Sequence, residues 1–186
     1  MWIALTLVAL AVQPDMAMLR RLYEENLARR EHEYGAADRR TAQAASDLGA
    51  FLERAGDKAG ARRAWARAVA IDEKAIGAGA PQTLEDVAAL AAVSPTAEAR
   101  PLLERAAESS DPSVAGPALS TLAGMRQAAG DRAGAVALYR RALEKAVAAD
   151  GKGSPIVMLL LRAIKPLVGP QEAAALQAEY GAARAR

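Results

Sequence analysis

Two stretches decide the fold: Ala55–Val69, AGDKAGARRAWARAV, and Ala129–Leu143, AGDRAGAVALYRRAL. At an offset of 74 residues they share A-G-D-x-A-G-A, and Trp65 meets Tyr139 while Ala68 meets Ala142. The same offset brings Gly77 onto Gly151 and Pro81 onto Pro155. Between them lies a third copy, Thr96–Glu108, TAEARPLLERAAE, 38 residues after the first and 36 before the last. A further self-match runs at 42: LARREHEYGAADRRT (Leu27–Thr41) lies over VAIDEKAIGAGAPQT (Val69–Thr83), with Glu31 on Glu73, Gly35 on Gly77 and Thr41 on Thr83. Self-similarity at 36 to 42 residues is the mark of a helical repeat array, in which no unit buries its apolar face alone.

Each unit reads as a pair of helices. Leu48, Gly49 and Leu52 share one helix face, and Ala61, Trp65 and Ala68 share a face of the next. Gly49, Ala61 and Ala68 are small enough to let the two helices approach, and Trp65 fills the space between neighbours. In the intervening Ala55-Gly56-Asp57, the glycine suits a left-handed helix end and the aspartate can cap the following helix. Composition agrees. Apolar residues make up 52% of the 186, yet aromatics only 4%, so the apolar fraction is mostly alanine and leucine, and no stretch alternates as a half-buried strand does.

The pattern L-G-x-x-[LY] followed by A-x-x-x-[FWY]-x-x-A resembles the tetratricopeptide repeat, and the 42-residue spacing resembles its kinesin-light-chain type. The resemblance runs from Met18 to about Leu167. Asp38-Arg39 and Ala80-Pro81 stand where that type has His-Pro, and the third unit lacks the long loop. It implies an all-α, right-handed superhelical solenoid of antiparallel helix pairs, with about three to four repeats and a C-terminal capping helix. Pro170 suits the start of that last helix. The expected organisation is a single repeat domain over 13–186, preceded by an apolar segment at 1–12.

That segment, MWIALTLVALAV, carries no charge and is too short to span a bilayer. Two readings stay open. Ala9-Leu10-Ala11 could end a secretory signal covering Met1–Ala11, which would place the protein outside the cytoplasm in an exported or periplasmic setting. Alternatively, Met1–Val12 is the first helix of a first unit, worn into an apolar end cap of a cytoplasmic protein. In the 42-residue register Leu19, Tyr23 and Asn26 fit the second helix of that unit.

Catalytic constellations are missing. The chain has no cysteine and one histidine, His32, set between Glu31 and Glu33 on a charged helix. Gly77–Pro81, GAGAP, lacks the Lys-Ser/Thr of a phosphate loop, and pairs such as Glu24-Glu25 and Glu85-Asp86 diverge on a helix. No catalytic, cofactor or metal role is assigned. A net charge of +2 from 24 basic and 22 acidic residues, interleaved along helix faces, gives no reason to expect nucleic acid.

The function expected is a protein–protein interaction scaffold. The resemblance implies that first helices line a concave groove that receives an extended peptide. Its positions fall on Gln43, Ser46, Asp47, Ala50 and Arg54; on Glu85, Asp86 and Ala89; on Ser120, Thr121, Gly124 and Gln127; and on Arg162. Ala50, Ala89 and Gly124 would leave room for a peptide backbone that the short polar side chains could bind. The alternative is a self-associating solenoid, a homo-oligomer without a peptide ligand.

Overall fold

The computed structural model describes residues 15–181. The apolar run 1–12, with both of its readings, lies outside them.

Among the described residues the secondary structure is helical. The helices are α1 (Met16–Tyr34), α2 (Arg39–Arg54), α3 (Lys58–Ala75), α4 (Pro81–Val93), α5 (Thr96–Ala106), α6 (Pro112–Ala128), α7 (Arg132–Asp150), α8 (Pro155–Ile164) and α9 (Pro170–Tyr180). A 3-10 turn, Lys165–Leu167, separates the last two. The units inferred from the repeats are the pairs α2–α3, α4–α5 and α6–α7. Helix α1 stands as the second helix of an earlier unit, and α8 with α9 closes the series.

The A-G-D turn acts as its residues require. Gly56 and Gly130 adopt φ of +81° and +80°, a region that only glycine enters freely. The N–H of Asp57 donates to the Leu52 carbonyl, and that of Asp131 to Arg126, closing each first helix five residues back. The carboxylates then reach forward: Asp57 accepts from the N–H of Gly60 and Asp131 from that of Gly134, both at 2.8 Å. This explains the second glycine of the motif, since a Cβ on Gly60 would lie 2.5 Å from Asp57 Oδ2. The longer loops close differently. Thr41 Oγ1 donates to the Gly35 carbonyl at 2.8 Å and Thr83 Oγ1 to that of Gly77 at 2.9 Å, both threonines fully buried. After α7 the same register holds Val157 instead, and Ser154 caps α8 through the N–H of Val157.

Packing between the two helices of a unit rests on matched sizes. The ring of Trp65 on α3 covers Gly49 on α2 so closely that a Cβ there would meet the indole at 2.9 Å. Leu103 stands at the register of Trp65 in the next unit and Tyr139 in the one after, both buried. The core falls into two clusters, one around Leu48, Phe51 and Trp65, the other around Val87, Leu119, Tyr139 and Ile164. Tyr23 of α1 stacks on Phe51 at 4.9 Å between ring centroids, carrying the first cluster to the N-terminal end.

Charged residues on the second helices form a ladder. Arg67 on α3 pairs with Glu31 on α1, Arg105 on α5 with Glu73 on α3, Arg141 on α7 with Glu108 after α5, and Arg140 on α7 with Glu172 on α9. These exposed pairs contribute little each, roughly 0–1 kcal/mol, and keep this face polar.

Alanine is the better helix former by about 1 kcal/mol, yet Gly49→Ala should destabilise the protein by about 1–3 kcal/mol, because the rigid indole cannot yield. Thermal melting followed by circular dichroism checks this, and Trp65 fluorescence should report the displaced ring. A rise in Tm would refute the size-matching account.

Candidate functional site

The first helices α2, α4, α6 and α8 form the face opposite the ion-pair ladder, and the groove residues expected from the sequence divide there into three groups.

At the α2–α4 end, Ser46 and Asp86 face each other and are buried, at 5% and 3% exposure. Ser46 Oγ lies 3.0 and 3.1 Å from the two Asp86 oxygens and 3.2 Å from the Ala42 carbonyl. A hydroxyl has one proton, so it serves Asp86 or Ala42, and which one depends on the state of the carboxyl. Burial pushes the Asp86 carboxyl up to about 7; donation from Ser46 opposes the rise, while the charges of Asp72, Glu85 and Asp47 add to it. When protonated, Asp86 can donate to Ser46, which then donates to Ala42, and all three groups are satisfied. Around this pair Gln43 donates to Asp47 at 3.1 Å, and Glu85 is exposed. Sequence reasoning placed Ser46 and Asp86 among solvent-facing groove residues. The structure instead places them beneath the surface as a bridge between two units, while their neighbours Asp47 and Glu85 reach solvent.

Asp72 was not foreseen. It sits near the C-terminal end of α3, 3% exposed, with Oδ1 lacking a donor among the described residues. Burial raises its pKa, and the positive charge of Arg39 opposes the rise. In the repeat register it lies over the half-buried Arg30, so the repeat carried no signal of a buried acid.

Small residues do not open the groove where the sequence placed them. Ala50 and Ala89 are half-buried and pack against the first core cluster, and Gly124 lies beside the Tyr139 hydroxyl. That hydroxyl donates to Gln127 Oε1 at 3.3 Å, so Gln127 holds a core tyrosine. Arg54 and Arg162 are exposed on α2 and α8.

The open volume lies further along. A cavity of about 330 Å³ between α6, α7 and α8 is lined by Gly116, Pro117, Ser120, Thr121, Ile156 and Leu160, among others. A second of about 340 Å³ lies between α4, α5 and α6, and the two share Pro117 and Thr121. Pro117 sits inside α6 and has no N–H, so the Ser113 carbonyl lacks its usual donor four residues on. The Thr121 hydroxyl donates to the Pro117 carbonyl at 2.9 Å. Ile156, Met158 and Leu159 add exposed apolar surface on α8, Leu159 at 57%. Ser120 and Thr121 were foreseen. The Gly116-Pro117 step inside α6 was visible in the sequence, but its meaning required the neighbouring helix.

With this geometry in hand, the chain can be set beside known proteins. Residues 41–81, from the α2 threonine to the start of α4, match the family model described as Tetratricopeptide repeat. The match covers one repeat, made of α2 and α3. The two units that follow share its helix-pair fold. Among solved structures, the chain is similar to a candidate kinesin light chain of Podosopora anserina, described as nearly identical TPR-like repeats. The TM-score is 0.64 at 18% identity, over 89% of this chain and 85% of that one. A single-substitution variant of the same protein gives 0.65 at 18% identity, over 89% and 84%. These likenesses concern the fold. No curated protein sequence matches the chain. Among the described residues no cluster of His, Cys, Asp and Glu could hold a metal ion, and no helix is long and apolar enough to cross a membrane.

The raised Asp86 pKa has a thermodynamic sign. Between the unfolded value near 3.8 and about 7 the folded protein holds the extra proton, so this group's contribution is full below that window and is lost as pH rises through it. Asp86→Asn keeps a donor for Ser46 without the charge. It should raise stability at pH 8 on the order of 1 kcal/mol, or about 2–4 °C in Tm. The gain should vanish toward pH 4. Melting curves from pH 4 to 8 check this, and a pH-independent difference would contradict it.

Proposed function

We propose that this chain is a non-enzymatic interaction scaffold that receives an extended segment of a partner protein along the first-helix face. The fold is that of a protein–protein interaction module, and the reading is carried by one observation. The first-helix face holds two adjoining cavities that share Pro117 and Thr121, with the polar residues Ser113, Ser120 and Thr121 at their edge. An extended peptide presents alternating side chains and unpaired backbone groups, which suits a row of apolar pockets beside polar acceptors. The ion-pair ladder keeps the opposite face polar and solvated.

Thr121 is exposed and lines both cavities, so Thr121→Trp should block the groove without disturbing the core. Affinity capture from the native host with wild type and Thr121→Trp, both shown to be folded, should lose the same partners as capture with Asp47→Arg plus Glu85→Arg. An unchanged set of partners for every variant would overturn the groove reading.

A second reading, self-association, is favoured by a separate observation. On α1 the apolar side chains of Met18 and Leu22 are 61% and 49% exposed, whereas their register equivalents on α3, Gly60 and Ala64, are buried under α2. A second copy could cover that face. Light scattering at micromolar concentration should then give a mass above 19.4 kDa that Leu22→Glu returns to the monomer. A wild-type monomer would exclude this reading.

A further inference from the structure

The charge around Ser46–Asp86 is unbalanced. Asp47 on α2 and Glu85 on α4 flank the buried pair, Asp72 on α3 lies close enough to act on Asp86, and none of these four carboxyls makes an ion pair among the described residues. Arg39, at the start of α2, acts on Asp72 from a distance. Asp72 is itself buried with one oxygen unpaired. Four carboxyls on three helices thus share one Coulombic neighbourhood. Two of them lie below the surface, where a low dielectric strengthens the field that they send outward. Buried carboxylates that form no close ion pair are costly, and an external cation relieves that cost. The other end of the same face has the opposite character. The cavity at Gly116–Pro117 is mostly apolar and reaches Ile156, beside the exposed Leu159 on the same helix.

We propose that the peptide accepted by the first-helix face is basic and aliphatic, with a Lys or Arg side chain between Asp47 and Glu85 over the Ser46–Asp86 pair and a Leu-, Ile- or Val-sized side chain in the cavity between α6 and α8. This rests on the groove reading above and specifies its ligand. Asp47 and Glu85 make the contacts, while Asp86 and Asp72 set the potential beneath them. An acidic peptide would be repelled at the α2–α4 end, and one without an aliphatic residue would leave the cavity unfilled. Binding of the cation favours ionised Asp86, so the complex forms with loss of a proton and tightens as pH rises.

The test uses the full chain and a displayed library of random peptides, selected in parallel on wild type and on Thr121→Trp. Peptides retained only by wild type should be enriched in Lys or Arg and in aliphatic residues at a fixed spacing. For one of these, fluorescence anisotropy should show that Asp47→Asn with Glu85→Gln weakens binding ~10-fold, an effect expected of a partly desolvated charge pair. Lys→Gln in the peptide should cost the same amount, and the two changes together no more than either alone. Affinity for the Lys peptide should rise from pH 6 to 8, and that for the Gln peptide should not. Enrichment of acidic or uncharged peptides, or additive losses in that cycle, would overturn the basic–aliphatic assignment while leaving the groove intact. Failure to enrich any peptide on wild type over Thr121→Trp would overturn the groove itself, and this proposal with it.

Discussion

The structure depends on the fit of one large side chain over one small residue within the α2–α3 pair. Trp65 lies flat on Gly49, and with no Cβ on α2 at that point, α2 and α3 pack closely enough to bury Ala61 and Ala68 completely. Because interiors are packed to crystal-like density, that fit tolerates little change in volume. With 4% aromatic residues, the chain places a ring at two of the three positions in this register, Trp65 and Tyr139, and Leu103 at the third.

Regular spacing within the pairs makes the two faces of the array different. Second helices carry arginine and glutamate on turns that meet in space, so Arg67, Arg105, Arg140 and Arg141 each find a carboxylate beyond their own helix. First helices carry no such ladder. Their acids at Asp47, Glu85 and Asp86 gather without balancing cations, and Ser46 is the group that makes burial of Asp86 tolerable. Sequence-wide neutrality therefore conceals a local imbalance, confined to the face that also bears the cavities.

Proline and glycine have two distinct uses in this array. Gly56 and Gly130 terminate first helices with positive φ, as their position in the repeat requires. Pro117 and Gly116 lie within a helix, where they cost stability, and they line the cavity beside α8. Residues that weaken a helix in its middle are expected where a surface is shaped for a partner, and here they coincide with the largest apolar exposure on the first-helix face.

The sequence by itself determined the helical class, the positions of the turns and the pairing of helices, because these follow from local chemistry repeated at a fixed period. Asp57 caps, Gly56 turns and Trp65 packs on its own unit, so a self-alignment over fewer than twenty residues suffices to read them. It also identified Ser120, Thr121, Asp47 and Glu85 as residues of one face. Only the tertiary structure decided which of that face is accessible. Ser46 and Asp86 lie forty residues apart and bury one another; Ala50 and Ala89 fill a core in place of opening a groove; and the cavities require α6 against α8 and α4. Depth and charge balance depend on contacts between units, and Asp72 over Arg30 shows that the repeat register carries no record of them.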